Sequence, residues 1–158
     1  MSPRRARSQM ATYTYFHVCA KGNGGQDLFL DDQDYLRYLH LAERYRTQYH
    51  LTCFAYCLMT NHVHWLVCSP TIATLSRMVH AFHVAYVRYF NYRHQRTGHL
   101  FQDRFSSWVI KGQEHLNAAK EYIEQNPVKA GMVKLRQDYQ WSSANGDGSG
   151  VTIGLIAS

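Results

Sequence analysis

Two strand-forming runs with almost nothing between them constrain this chain most. Leu51 to Leu58 and His62 to Cys68 are dense in aromatic, β-branched and small apolar residues, and only Met59-Thr60-Asn61 separates them. A link that short joins antiparallel neighbours, because parallel strands need a crossover of about a dozen residues or more. Upstream, Tyr13 to Lys21 reads as a strand that ends in the loop Gly22-Asn23-Gly24-Gly25. Asp31 or Asp32 then caps a helix whose apolar residues Tyr35, Leu36, Leu39, Ala42 and Tyr45 recur at helical spacing. Downstream of Ser69-Pro70 a long helix carries Leu75, Met78, Val79, Phe82, Tyr86, Tyr89 and Phe90 along one stripe. Gly98 breaks the pattern, and Phe105 to Ile110 reads as a fourth strand. A last helix runs from about Gln113 to Asn126, where Pro127 disfavours helical geometry in the residue before it. The first six elements follow the split β-α-β-β-α-β order. They predict an α+β domain: a ferredoxin-like antiparallel sheet with helices on one face, plus a further C-terminal helix.

With 158 residues, 46% of them hydrophobic and 14% aromatic, the chain is large enough for one domain with a real core. That domain is expected over residues 1–143, beginning with a basic arm at 1–11 that carries Arg4, Arg5 and Arg7. Residues 144–158, rich at their start in Gly, Ser, Asn and Asp, are expected to form a flexible tail. No apolar run has membrane-spanning length, and the N-terminus lacks the apolar core of a secretory signal. Cys19, Cys53, Cys57 and Cys68 lie in apolar, strand-like surroundings, which fits buried free thiols and a reducing, cytoplasmic setting. A net charge of +6 favours a polyanionic partner, nucleic acid first, and so a nucleoid-associated place in the cell.

From Arg88 to Arg104 the chain sets Arg88, Arg93, Arg96 and Arg104 against Asp103 alone, interleaved with Tyr89, Phe90, Tyr92 and Phe101. Positive charge for phosphates and aromatic faces for bases describe a single-stranded DNA surface. A solvated helix face backed by core aromatics has the same composition. In the third strand, residues i and i+2 share a side, so His62 and His64 present two imidazoles together while Val63, Trp65 and Val67 face away. Neutral imidazole is a common ligand for divalent metals. The pair is half of a metal site, or two hydrogen-bonded polar groups at a strand end. A structural zinc site using Cys53, Cys57, His62 and His64 is a further reading, but the spacing is not that of common ribbons or fingers.

On the last helix Leu116 and Ile123 fall on a core-facing stripe, and His115, Ala119, Tyr122 and Asn126 on the bordering face. Tyr122 and Asn126, four residues apart, lie one above the other. Taken alone they are as readily a helix-boundary tyrosine and a C-terminal cap as members of a site.

Four blocks carry a family resemblance. They are Phe16-His17-Val18 with Gly22-Asn23, then Ala55 to Val67 around Asn61-His62-Val63-His64, then Thr97-Gly98-His99-Leu100-Phe101-Gln102-Asp103-Arg104-Phe105. The last is Tyr122-Ile123-Glu124-Gln125-Asn126-Pro127 through Val133, with Asp138-Tyr139-Gln140-Trp141 following. Over roughly residues 12–143 the chain resembles the single-tyrosine transposases of the His-hydrophobic-His superfamily, most closely the REP-associated tyrosine transposases. The resemblance implies a metal-dependent endonuclease and strand-transferase acting on single-stranded, hairpin-forming repeat DNA. It implies Tyr122 as nucleophile, carried on the C-terminal helix, and His62 and His64 as ligands of Mg2+ or Mn2+. Asn126 matches the amide-bearing third ligand, with Gln125 as the alternative; Gln125 itself departs from the apolar residue common there, and Thr60 replaces a frequent proline. His115, on the face of Tyr122, is a candidate base. Arg4, Arg5 and Arg7 are candidates to grip a hairpin stem. Relatives imply a monomer or a homodimer, in some cases with the tyrosine helix exchanged between protomers. A catalytically silent hairpin-binding protein of the same fold is the alternative.

Overall fold

A computed structural model describes residues 13–146 of the chain. Its four strands are β1 (Thr14–Lys21), β2 (Thr52–Leu58), β3 (His62–Ser69) and β4 (Ser106–Val109), and its three long helices are α1 (Asp32–Tyr49), α2 (Ile72–Arg93) and α3 (Gln113–Lys129). The sheet order is β2-β3-β1-β4, with every neighbouring pair antiparallel. This is the ferredoxin-like arrangement that the element order predicts: the β2–β3 hairpin closes through Met59 N–H donating to His62 O at 2.9 Å, and β3 inserts beside β1.

The odd residues of β3 bury against α1 and α2. Trp65 packs on Tyr38 of α1 and Phe82 of α2, and its indole N–H donates to the Tyr38 hydroxyl at 3.3 Å. Leu75, Met78, Val79, Phe82, Tyr86 and Phe90 of α2 are buried at helical spacing, as the stripe requires. Asp31 caps α1 by accepting from Asp34 N–H, and Thr71 caps α2 by accepting from Thr74 N–H. The third helix lies on the opposite face of the sheet, over β2 and β3.

The final helix does not stop at Asn126. It continues through Pro127 to Lys129, and Gly131 at φ 72° ends it. Gly131 N–H donates to Val128 O and Met132 N–H to Pro127 O, the paired bonds of a left-handed glycine terminus. Proline inside a helix removes the bond its own N–H would give to the carbonyl four residues back. Here that carbonyl is Ile123 O, and the Asn126 amide nitrogen lies 3.5 Å from it. The side chain before the proline thus covers the acceptor that the proline leaves free.

Beyond α3 the chain returns to seal the outer edge of β2. Trp141 stacks on Tyr35 at 4.6 Å, Leu58 N–H donates to Trp141 O, and Ser142 bridges Cys57. This packing runs past residue 143: Asn145 donates through its side chain to Gln137 O. The rest of the expected tail and the 1–11 arm, with Arg4, Arg5 and Arg7, lie outside the described residues.

Gly22 joins the β1 end to two other segments. Its N–H donates to Asn61 O at 2.8 Å, and an added Cβ would lie 2.0 Å from Gln26 O, a backbone atom that no rotamer change can move. Gly22→Ala is therefore expected to destabilise the fold by about 1–3 kcal/mol, the scale of overpacking. A urea melt compared with the parent checks it, and an unchanged midpoint would refute it.

Candidate active site

The antiparallel ladder decides which side chains meet. His64 pairs across β3–β1 with Cys19 and His62 with Lys21, while His17 pairs with Trp108 of β4. Alternation then puts His17, Cys19, Lys21, His62, His64 and Trp108 on one face, the face α3 crosses. Together with Tyr122 and Asn126 of that helix they line a cleft of about 510 Å³.

The two strand histidines stand 5.1 Å apart between ring centres and nearly perpendicular, at 87°. His62 Nδ1 is 2.7 Å from Asn61 Oδ1, and His64 Nδ1 is 3.0 Å from His17 Nε2. Burial pushes the His64 imidazole down to about 3, with His17, His62 and Lys21 adding to the effect. Burial also lowers His62, helped by Lys21, and lowers His17, helped by His115. All three rings are therefore neutral at physiological pH, the state in which imidazole donates a lone pair.

Tyr122 is 46% exposed and its ring faces the cleft, 5.8 Å from the His64 ring and 5.7 Å from the His17 ring. The tyrosine thus turns away from the apolar interior. Lys129, seven residues on, places its ammonium 5.0 Å from the Tyr122 ring centre. Asn126 Nδ2 donates to Tyr122 O at 3.0 Å, and among the described residues no hydrogen bond engages its Oδ1. Gln125 donates instead to Glu121 at 3.4 Å and does not line the cleft. Two imidazoles and one amide oxygen, all neutral and on one cleft, form a donor set suited to a divalent cation with open positions. Within this one chain, α3 and the histidine strand meet on the same cleft.

His115 Nδ1 accepts from Lys111 N–H at 2.9 Å at the start of α3, and the residue is not among those that line the cleft. The zinc reading does not assemble either. Burial raises the Cys53 and Cys57 thiols to about 12, and Cys57 points its sulfur at Met59. Among the described residues no group of three or more His, Cys, Asp or Glu is gathered for a metal.

The four arginines divide into two pairs. Arg93 donates to Asp31 at 2.6 Å and to the fully buried Asp34 at 2.8 Å, and Arg96 donates to Gln26 at 2.6 Å while lying over Phe90. In this structure the guanidinium groups of Arg93 and Arg96, both named above as candidates for DNA binding, are engaged within the fold. Arg88 and Arg104 instead line a groove of about 780 Å³ between α2 and residues 98–107. Gln102 lines both this groove and the cleft.

Reading single residues passed over His17 and Lys21. Both stand on β1 at alternate positions, so the strand's period was visible, but which of its faces meets α3 is set by pairing with β3.

The family model described as "Transposase IS200 like" matches residues 12–126, most of the chain and all of this cleft. The chain belongs to the IS200-like transposase family. Among solved structures, this IS200-like transposase is similar to a REP-associated tyrosine transposase bound to a REP hairpin, at a TM-score of 0.67. The likeness covers 92% of this chain and 86% of the other, and at 18% identity it speaks for the fold. No curated protein matches the sequence. Among the described residues no helix is long and apolar enough to cross a membrane.

Proposed function

We propose that this transposase cuts and rejoins single-stranded DNA at the foot of hairpin-forming repeats, through a covalent 5′-phosphotyrosine. The observation that carries the reading is the meeting of Tyr122 with His62, His64 and Asn126 on one cleft of one chain. Tyr122 Oη attacks phosphorus, the bond to the 3′ oxygen breaks, and that oxygen leaves as a 3′-hydroxyl after taking up a proton. The phosphodiester energy is kept in the tyrosyl link, so a 3′-hydroxyl can later attack it and reseal the strand without ATP.

His62, His64 and the Asn126 oxygen would hold Mg2+ or Mn2+, which when bound supplies a positive charge against a non-bridging phosphate oxygen. All three ligands being neutral, none of that charge is cancelled by the protein. Lys21, beside His62 in the ladder, adds a fixed cation at the same end of the cleft. The exposed face of Trp108 offers a surface on which a base can stack. A hairpin partner is supported by the fold likeness to a transposase that was solved with one.

Labelled hairpin DNA incubated with the protein and Mn2+ should yield a protein-linked band on a denaturing gel. If DNA binds but no linked band forms under any divalent metal, the protein is a silent hairpin binder instead. The divided arginines give a second expectation. Removing Arg88 and Arg104 together should weaken single-stranded DNA binding and flatten its log–log salt dependence by about 1.4, near 0.7 for each phosphate that the variant no longer neutralises. Melting should not change. Arg93→Ala should do the reverse, lowering the melting midpoint, and a fluorescence-anisotropy titration beside a thermal melt separates the two.

A further inference from the structure

The two strand histidines are each held at Nδ1 by a different neighbour, and neither neighbour belongs to the proposed ligand set. His62 Nδ1 meets Asn61 Oδ1 at 2.7 Å. An amide oxygen only accepts, so the proton of neutral His62 sits on Nδ1 and its lone pair on Nε2. His64 Nδ1 meets His17 Nε2 at 3.0 Å, a hydrogen bond that either ring could donate. His17 comes from a different strand, and its ring is itself braced by Trp108 at 5.0 Å and Tyr122 at 5.7 Å. Asn61 is braced too, since its carbonyl accepts from Gly22 N–H at 2.8 Å.

The geometry points to His17 and Asn61 as a pair of positioning residues that hold His64 and His62 in the Nδ1–H tautomer, so that both Nε2 lone pairs are ready for one cation. In this arrangement His64 Nδ1–H donates to His17 Nε2, which leaves the His17 proton on its own Nδ1. Hydrogen bonding at the second ring nitrogen fixes the orientation of a ligand histidine and raises its basicity, and removing such a partner typically costs about 10–100-fold in metal affinity. The alternative is physically distinct. If His17 Nε2–H donates to His64 Nδ1, then His64 carries its proton on Nε2 and has no lone pair to offer there. The inference rests on the metal-dependent reading above, but its first measurement does not.

That measurement is the ¹⁵N imidazole spectrum of the metal-free protein, in which His62 and His64 should both appear as Nδ1–H tautomers. A wild-type His64 found as the Nε2–H tautomer overturns the proposal. Mn2+ affinity of the full chain, read by electron paramagnetic resonance, is the second measurement. His17→Leu should weaken it about 10–100-fold and release His64 into a mixture of tautomers. His17→Gln, whose amide oxygen can take the place of Nε2, should restore both. Equal Mn2+ affinity in the wild type and His17→Leu would also overturn the proposal. Should His17→Leu fail to fold, Asn61→Ala and Asn61→Asp repeat the comparison at His62, with the aspartate expected to rescue. A wild type that takes up no Mn2+ would remove the metal reading itself, and the spectrum would still decide who donates to whom.

Discussion

Tyr122→Phe is expected to abolish strand cleavage and the covalent DNA adduct while leaving the fold and hairpin affinity in place. The substitution removes one oxygen from a ring that is 46% exposed, and among the described residues that oxygen makes no hydrogen bond. Nothing in the core depends on it, so the thermal midpoint should stay within about 1 °C, consistent with the small effects of surface changes. The ring packing against His17, His64 and Lys129 survives in phenylalanine, so the cleft keeps its shape. The reaction, by contrast, loses the atom that forms the new bond to phosphorus. A drop of roughly 10³-fold or more is the scale seen when a reacting group is deleted. A denaturing gel for the linked band, run beside an anisotropy titration on the same hairpin, checks both halves. Undiminished cleavage by the phenylalanine variant would mean that some other group attacks.

The largest expected effect on stability lies far from the cleft, at Asp34. Its side chain has no exposed surface, yet it accepts four hydrogen bonds. Leu30 N–H and His94 Nε2 reach it at 2.9 Å, the Tyr89 hydroxyl at 2.9 Å and Arg93 at 2.8 Å. One carboxylate thereby ties the start of α1 to the end of α2. Asp34→Ala would leave the Leu30 N–H, the Tyr89 hydroxyl and His94 Nε2 without their acceptor, while Arg93 keeps Asp31. Leaving donors unsatisfied at a site closed to solvent costs about 1–3 kcal/mol for each buried group. Asp34→Asn keeps an acceptor and should lose less. Chemical denaturation of both variants tests this: an alanine variant as stable as the parent would show that water replaces the carboxylate freely. The loop after His94 leads through Gln102 into β4, so the alanine variant is also expected to loosen one wall of the cleft.

Much of the fold was legible in local pattern. The hairpin link at residues 59–61, the α2 stripe and the Asp31 cap are each decided by neighbours within a few residues, where periodicity and capping chemistry act. The final helix misled because Pro127 is a local stop signal that longer-range facts overrode. Asn126 covers the freed carbonyl, Pro127 and Ile123 bury against the sheet, and Gly131 supplies the left-handed end. The arginine-rich stretch left its contacts open for a related reason. A positive charge reads the same in sequence whether water or a buried aspartate answers it, and Asp34 lies 59 residues away from Arg93.

Sequence by itself determined the strand and helix periods, the pairing of His62 with His64 on one side of β3, and the stacking of Tyr122 above Asn126 on one side of a helix. All of these follow from backbone geometry over about four residues or fewer. Only the tertiary structure decided that the histidine face and the tyrosine face are the same cleft, that His17 and Lys21 share it, and that Asn126 faces it while Gln125 does not. Those facts depend on strand order and register, which are settled by which apolar faces bury together across the whole chain. A side chain's neighbours in space are chosen by that burial, and no short stretch of residues contains it.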